Sequence, residues 1–277
     1  MLDIKYELDY MTNLVRAAAK QEILPRFGKV TGKQKGIPKK FRDIVTEADV
    51  AASKYILDRI RPRFPGSYSE EQKYENRFKH DLIWQIDPVD GTDEFCAGLV
   101  DGYAVNAALL QRQPNSTYKS IAGLIYLPGV DKLWRSDQIT TNISSRSKLV
   151  GWVRKLDPNK ILEHFYYNLG NKLGLTTQLY YDGGSGASIA ALLADQTNLV
   201  IMNYNYSKDW DIAMAEPILK AYGGFICDLK GNDFTFNRPD SEGYDEPYNL
   251  NGYIASLVFT KDEILSHVPA ELLINRL

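Results

Sequence analysis

The sequence has few cysteines, few histidines and no long apolar run, and each scarcity excludes a class of protein. Its 277 residues include two cysteines and three histidines, and Cys96 and Cys227 have no zinc-finger or CxxC spacing. A disulfide framework is therefore not indicated. No apolar stretch reaches the roughly 18–20 residues of a membrane helix, and the first residues lack the pattern of a signal peptide. We expect a reduced, cytoplasmic protein without a membrane partner.

An excess of charge of one sign is also missing. Lys and Arg number 33 and Asp and Glu number 35, so the formal net charge is −2 at pH 7. Binding to a nucleic-acid polymer requires a net basic face, and this balance argues against such a partner. The hydrophobic fraction of 44% is typical of a globular chain that buries a substantial core.

Strands and helices alternate along the chain, most regularly in its second half. Apolar periodicity predicts helices at 5–25 and 46–60, and β-branched runs predict strands at 82–86, 103–110 and 121–127. After an irregular stretch, we expect strands at 148–153, 176–181, 198–203, 224–229 and 253–259, with helices at 158–173, 185–194 and 209–222. This alternation predicts a layered α/β fold. We place the junction between an N-terminal half, 1–147, and a C-terminal half, 148–277, in the irregular stretch.

The hexapeptide DPVDGT, residues 87–92, follows the strand predicted at 82–86. Pro88 fixes its own backbone and favours an extended Asp87, so Asp87 and Asp90 can face one spot. The last two residues of the hexapeptide would begin a short helix whose free N–H groups point the same way. Carboxylates bind hard divalent cations, and such N–H groups bind phosphate. The hexapeptide therefore predicts a metal-assisted phosphomonoesterase site.

Four other acidic residues, at three places in the chain, could join this site, and each place also has a simpler interpretation. Glu70 and Glu71 stand in a loop, where exposure to solvent alone could explain two acidic residues. Asp49 follows Thr46 at the spacing of a helix capping box. Asp211 is a first-turn acid that would interact favourably with a helix dipole. Sequence alone leaves both interpretations open for each of them.

Taken together, these motifs resemble the inositol monophosphatase superfamily, a group of lithium-sensitive, magnesium-dependent phosphomonoesterases. The resemblance is carried, in family order, by Val45-Thr46-Glu47-Ala48-Asp49, Glu70-Glu71, the hexapeptide, and Trp210-Asp211-Ile212-Ala213 with Gly223-Gly224. It implies the five-layer αβαβα sandwich of inositol monophosphatase and fructose-1,6-bisphosphatase. It also implies a hydrolase that uses a metal-activated water on a small phosphorylated sugar or polyol, and a possible homodimer.

The resemblance also implies a role for each matching residue. Two to three Mg²⁺ ions would be held by Glu70, Asp87, Asp90, Asp211 and the carbonyl of Val89. Glu70, Asp87 and Val89 would hold the first ion, Asp87, Asp90 and Asp211 the second, and a weaker third would lie near Glu70. Catalytic roles would fall to Asp49, Glu70 and Thr92, with Asp49 and Thr92 orienting the attacking water. The substrate contacts would be Asp90, Gly91, Thr92, Gly184, Ser185, Tyr204 and Asp211.

The substrate remains open at this point. Inositol-selective relatives carry a carboxylate seven residues before the aspartate that matches Asp211, and this chain has Tyr204 there. The run at 92–95 resembles Thr-Lys-Glu-Phe of the 3′(2′),5′-bisphosphate nucleotidases, although Asp93 replaces the lysine. A nucleotidase is therefore the first alternative. A non-catalytic regulator that binds a phosphoryl ligand or metal is the second, and we would expect it to lack an acid such as Asp90 or Asp211.

Overall fold

Two five-stranded sheets alternate with three layers of helices. The computed structural model describes residues 2–34, 44–72, 79–138, 147–153, 160–181, 183–195, 197–202, 207–236, 248–249 and 252–268. The helices are α1 (Ile4–Ala18), α2 (Glu47–Ile60), α3 (Thr92–Cys96), α4 (Ile161–Leu173), α5 (Ser185–Leu193), α6 (Asp209–Ile212), α7 (Ala215–Ala221) and α8 (Lys261–Leu265).

Most of the strands belong to the two large sheets. The strands are β1 (Lys33–Gln34), β2 (Ile44–Val45), β3 (Tyr68–Ser69), β4 (Leu82–Asp90), β5 (Ala104–Arg112), β6 (Tyr118–Leu127), β7 (Lys132–Arg135), β8 (Lys148–Val153), β9 (Thr176–Tyr181), β10 (Leu199–Met202), β11 (Ser207–Lys208), β12 (Phe225–Cys227), β13 (Tyr248–Asn249) and β14 (Tyr253–Ser256). The first sheet has the order β3-β4-β5-β6-β7, and only its β3–β4 pair is parallel. The second has the order β12-β14-β10-β8-β9, with β8 parallel to both of its neighbours.

The outer face of the first sheet is covered by α1 and α2. Asp3 caps α1 by accepting a hydrogen bond from the backbone N–H of Tyr6 at 3.1 Å. The apolar side of α1 then packs, together with α2, against buried side chains of the sheet such as Trp84 and Leu109. On the far side of the molecule, α4 and α8 cover the second sheet in the same way.

The middle layer consists of α5, α6 and α7, which lie between the two sheets. Every residue of α5 is buried, as expected for a helix with apolar neighbours on all sides. One hydrophobic core joins this layer to both sheets, because Ile189 and Ile218 share it with Ile125 of the first sheet and Val200 of the second. The five-layer α/β architecture implied by the resemblance is confirmed.

Most predicted elements differ from the observed ones by a few residues at their ends, and three differ more. The helix predicted at 5–25 is α-helical only to Ala18 and continues as a π-helical turn and a 3₁₀ turn to Arg26. The helix predicted at 209–222 is two helices, because α7 begins afresh at Ala215 and places Pro217 in its first turn, where no N–H is needed. The strand predicted to end at 86 runs on to Asp90, with a register shift after Asp87 where Pro88 has no N–H for the ladder.

The division of the chain at 147/148 stays a prediction. All strands of the first sheet come from residues 68–135 and all strands of the second from 148–256. The helices between the sheets nevertheless come from the C-terminal part alone. Among the described residues, no helix combines the length and the apolar character that crossing a bilayer requires. Cys96 and Cys227 are not joined in a disulfide.

Candidate active site

Three carboxylates meet at one edge of the first sheet. Because β3 and β4 are parallel, with Ser69 opposite Ile86, the residues that follow each of these positions lie side by side where β3 ends. They are Glu70 and Asp87, and the backbone N–H of Glu70 donates to the carbonyl of Ile86 at 3.1 Å. Asp211, in the first turn of α6, brings the third carboxylate. One oxygen from each acid lies within 4.8 Å of the others.

The fourth predicted acid, Asp90, is held by the start of α5. Its carboxylate accepts hydrogen bonds from the backbone N–H of Ser185 at 3.2 Å, from the N–H of Gly186, and from Nδ2 of Asn106 at 3.0 Å. Gly186 is required here, because a Cβ at this position would lie 2.3 Å from Oδ1 of Asn106. The first sheet is thus joined to the middle layer through the carboxylate of Asp90.

Asp49 connects the start of α2 with Thr92. Its Oδ2 accepts hydrogen bonds from the N–H of Thr46 at 2.8 Å and from the Thr46 hydroxyl, so the capping box is present. Its Oδ1 accepts from the hydroxyl of Thr92 at 3.3 Å. The Thr92 hydroxyl also lies 3.1 Å from the carbonyl oxygen of Val89. The capping interpretation of Asp49 is therefore confirmed, and its other oxygen reaches Thr92, while a catalytic role for Asp49 stays a prediction.

Gly91 allows the chain to turn from β4 into α3. It has φ +90°, in the left-handed region that favours glycine, and a Cβ here would lie 2.6 Å from the carbonyl oxygen of Gly102. The short helix predicted to begin at the end of the hexapeptide is confirmed as α3, with Gly91 at its N-cap.

Like charges crowd the site and change its acidity. The pKa of Asp211 is raised well above its ordinary value of 3.8. The largest cause is the loss of hydration on burial, and the negative charges of Asp90 and Glu70 add to it. Two features oppose this rise in the pKa, namely the positive charge of Lys208 and the hydrogen bond of 2.9 Å from its backbone N–H to Oδ2 of Asp211. A cluster that disfavours its own negative charge gains from binding cations. Its donors are carboxylate oxygens, which suit Mg²⁺.

Most of the predicted site residues lie near one another. Asp90 is close enough for its charge to raise the pKa of Asp211, although it is not one of the three acids whose oxygens converge. The N–H of Gly184 donates to the carbonyl of Gly102 at 3.0 Å and that of Ser185 to Asp90, so both groups already have partners within the protein. Tyr204 lies outside the described residues.

The sequence analysis did not identify two residues that contact the site. Asn106 interrupts the apolar run of β5, and a polar residue in a buried strand indicates a buried partner, here Asp90. Lys208 precedes Asp211 by three residues, and its Nζ donates to Oε1 of Glu70 at 2.8 Å. The spacing to Asp211 could have identified Lys208 as a helix cap, but nothing local indicates Glu70 as its partner.

Fold and site together define an α/β protein in which three carboxylates at a sheet edge converge and could hold a hard cation. The sequence model of the inositol monophosphatase family matches residues 6–261, and the chain therefore belongs to this family. It is therefore a hydrolase of phosphoric monoesters from a metal-dependent family that acts on small phosphorylated substrates.

Two named relatives are similar to this chain in sequence, and a solved structure shares its fold. The chain is 26% identical over 238 residues to a fructose-1,6-bisphosphatase/inositol-1-monophosphatase of Thermotoga maritima, covering 82% of this chain and 86% of the relative. It is 25% identical over 200 residues to a 3′-phosphoadenosine 5′-phosphate phosphatase of Mycobacterium bovis, covering 69% and 72%. A solved inositol monophosphatase of Thermotoga maritima superposes with a TM-score of 0.73 at 23% identity, over 96% of this chain and 97% of that one.

Proposed function

We propose that this chain is a Mg²⁺-dependent phosphomonoesterase that hydrolyses a small phosphorylated sugar or polyol by direct attack of water. The observation that carries the proposal is the convergence of Glu70, Asp87 and Asp211, with oxygens within 4.8 Å of one another. The Thr92–Asp49 hydrogen bond, at the hexapeptide that supplies Asp87, adds a means of orienting a water molecule. No covalent enzyme intermediate is part of the proposal.

The carboxylates are assigned to metal binding. Glu70, Asp87 and the carbonyl of Val89 would hold one Mg²⁺, and Asp87, Asp90 and Asp211 a second, with a weaker third near Glu70. Bound Mg²⁺ would neutralise the phosphoryl oxygens and lower the pKa of water. Burial is the largest cause of the raised pKa of Asp211, and the charges of Asp90 and Glu70 raise this pKa further. Those two charges support the assignment, because they also attract cations.

Thr92 and Asp49 are assigned to the attacking water. When the Thr92 hydroxyl donates to Oδ1 of Asp49, its lone pairs are left to accept a hydrogen bond from the attacking water and so orient it. Asp49 is fixed for this purpose, because its other oxygen is engaged in the capping box. The N–H groups of Gly91 and Thr92, where α3 begins, are assigned to phosphate oxygens.

Substrate choice is tested by phosphate release from three esters in the presence of Mg²⁺. We expect inositol 1-phosphate or fructose 1,6-bisphosphate to have a higher kcat/KM than adenosine 3′,5′-bisphosphate, and EDTA to abolish the activity with restoration by added Mg²⁺. The nucleotide is included because Tyr204 and the run at 92–95 favour the nucleotidase alternative. A relative named as a 3′-phosphoadenosine 5′-phosphate phosphatase also supports that alternative. Turnover of the nucleotide alone would contradict the polyol proposal but not the metal chemistry.

Replacing Thr92 with valine tests the water-orienting pair. Valine keeps the branched shape but cannot hydrogen-bond Asp49, so we expect kcat to fall about 100-fold, as is typical for loss of a proton-transfer group. KM and the melting temperature should change little. Thr177→Val is the matched control, because Thr177 lies on β9 of the second sheet and its hydroxyl donates to the carbonyl of Tyr166 on α4. Equal kcat values for Thr92→Val and the wild type would remove Thr92 and Asp49 from the mechanism.

A further inference from the structure

Lys208 places a positive charge directly beside the carboxylate cluster. Its Nζ lies 2.8 Å from Oε1 of Glu70, and only 11% of its side chain and 14% of that of Glu70 are exposed. The ammonium also lies 5.4 Å from the centre of the Trp210 ring, within reach of a cation–π contact. Its backbone N–H donates to Asp211, so the residue is fixed at both ends.

This ammonium and a divalent cation compete for the same carboxylates. Glu70 is one of the three acids whose oxygens converge, and it is also the acid that Lys208 contacts. A positive charge a few ångströms from a cation repels it, most strongly where water is excluded. The same charge stabilises the cluster when no metal is bound, because it offsets the repulsion among the carboxylates.

We propose that Lys208 is a built-in counterion of the cluster, which holds Glu70 until a divalent cation displaces it. Lys208 thereby lowers the metal affinity of the site below what its carboxylates alone would give. It is a positioning residue, since it acts through Glu70 and contacts no reacting atom. This inference rests on the proposed function, because it requires that the cluster binds Mg²⁺.

The test is the affinity for Mg²⁺ alone, measured by titration calorimetry on the full chain without substrate. In Lys208→Met the repulsion is gone, and we expect Mg²⁺ to bind about tenfold more tightly than in the wild type. The metal-free variant should melt at a lower temperature, and Mg²⁺ should raise its melting temperature by more. Lys220→Met is the matched control, because it removes one lysine from a pair with Glu216 on α7 and should leave the Mg²⁺ affinity unchanged.

The direction of the change separates the proposal from a merely structural role. Damage to the site would weaken Mg²⁺ binding, so an unchanged or weaker affinity in Lys208→Met would overturn the counterion role. The assignment of the carboxylates to metal binding would stand, because the wild type still binds Mg²⁺. A wild-type chain that binds no Mg²⁺ would overturn the proposed function together with this inference. Lys208→Gln, which keeps polarity but not charge, must show the same tightening and replaces the methionine variant if that chain does not fold.

Discussion

Asp211→Asn should reduce turnover by about 100-fold or more while making the metal-free protein more stable. The loss of turnover follows from removing a carboxylate that is proposed to hold the second Mg²⁺. The gain in stability follows from the raised pKa of Asp211, which shows that the folded state disfavours its negative charge. An asparagine oxygen can still accept the hydrogen bond from the backbone of Lys208, so the cap of α6 is kept.

The pH dependence of this effect has a definite sign. The folded protein retains the proton of Asp211 to a higher pH than the unfolded chain does, because the pKa is raised above its ordinary 3.8. Stability from this group is therefore complete at acidic pH and is lost as the pH rises through the raised pKa. Metal-free wild type should thus lose melting temperature above about pH 4 relative to Asp211→Asn.

Thermal melts from pH 4 to 8, with and without Mg²⁺, measure this difference. At neutral pH the metal-free variant should melt a few degrees above the wild type, and Mg²⁺ should stabilise it far less. Asp3→Asn is the control, because it removes a helix-capping carboxylate that lies outside the cluster and should give no gain. If the metal-free Asp211→Asn protein is less stable than the wild type, the folded state does not disfavour the negative charge of Asp211.

Asp90→Asn should also reduce turnover by about 100-fold, but with the opposite effect on stability. The Asp90 carboxylate accepts three hydrogen bonds, from Asn106, Ser185 and Gly186. An amide has one oxygen and one NH₂ group, so at least one of these donors would face another donor. Loss of a buried hydrogen bond to a charged acceptor costs about 1.5–3 kcal/mol, and this outweighs the relief of repulsion from Asp211.

Asp228→Asn is a closely matched control for that experiment. The Asp228 carboxylate likewise accepts three donors, the N–H groups of Lys230 and Asn232 and the side-chain amide of Asn232, but in a turn outside the cluster. Chemical denaturation should show a similar loss of unfolding free energy in both variants, and phosphate release should fall only in Asp90→Asn. An Asp90→Asn protein with wild-type turnover would refute its assignment to the second ion.

The local parts of the site could be predicted from the sequence. The hexapeptide determines a strand, a left-handed glycine and a short helix within a few residues, and the capping spacing of Thr46 and Asp49 determines the start of α2. These features depend on backbone geometry and on hydrogen bonds between near neighbours. The acids were recognised as one group because their motifs together resembled a family, and not because any one of them indicated its partners.

Contacts between distant segments were beyond sequence reasoning. The backbone N–H groups that donate hydrogen bonds to Asp90 lie 95 and 96 residues further along the chain. Lys208 lies 138 residues from its partner Glu70. No local periodicity or spacing encodes such a contact, because it depends on how whole layers stack. The break between α6 and α7 was missed for a different reason, since the apolar pattern continues through it while Pro217 fits at the start of a new helix.

The shared helical layer limits how such a protein can change by recombination. The inner faces of both sheets pack on α5 and α7, and the start of α5 also anchors an acid of the first sheet. A segment imported from another protein would therefore have to match both the packing surface of this helical layer and the hydrogen bonds that join it to the first sheet. Evolution of this architecture should proceed by substitution and loop exchange, because neither sheet is a module that can be shuffled alone.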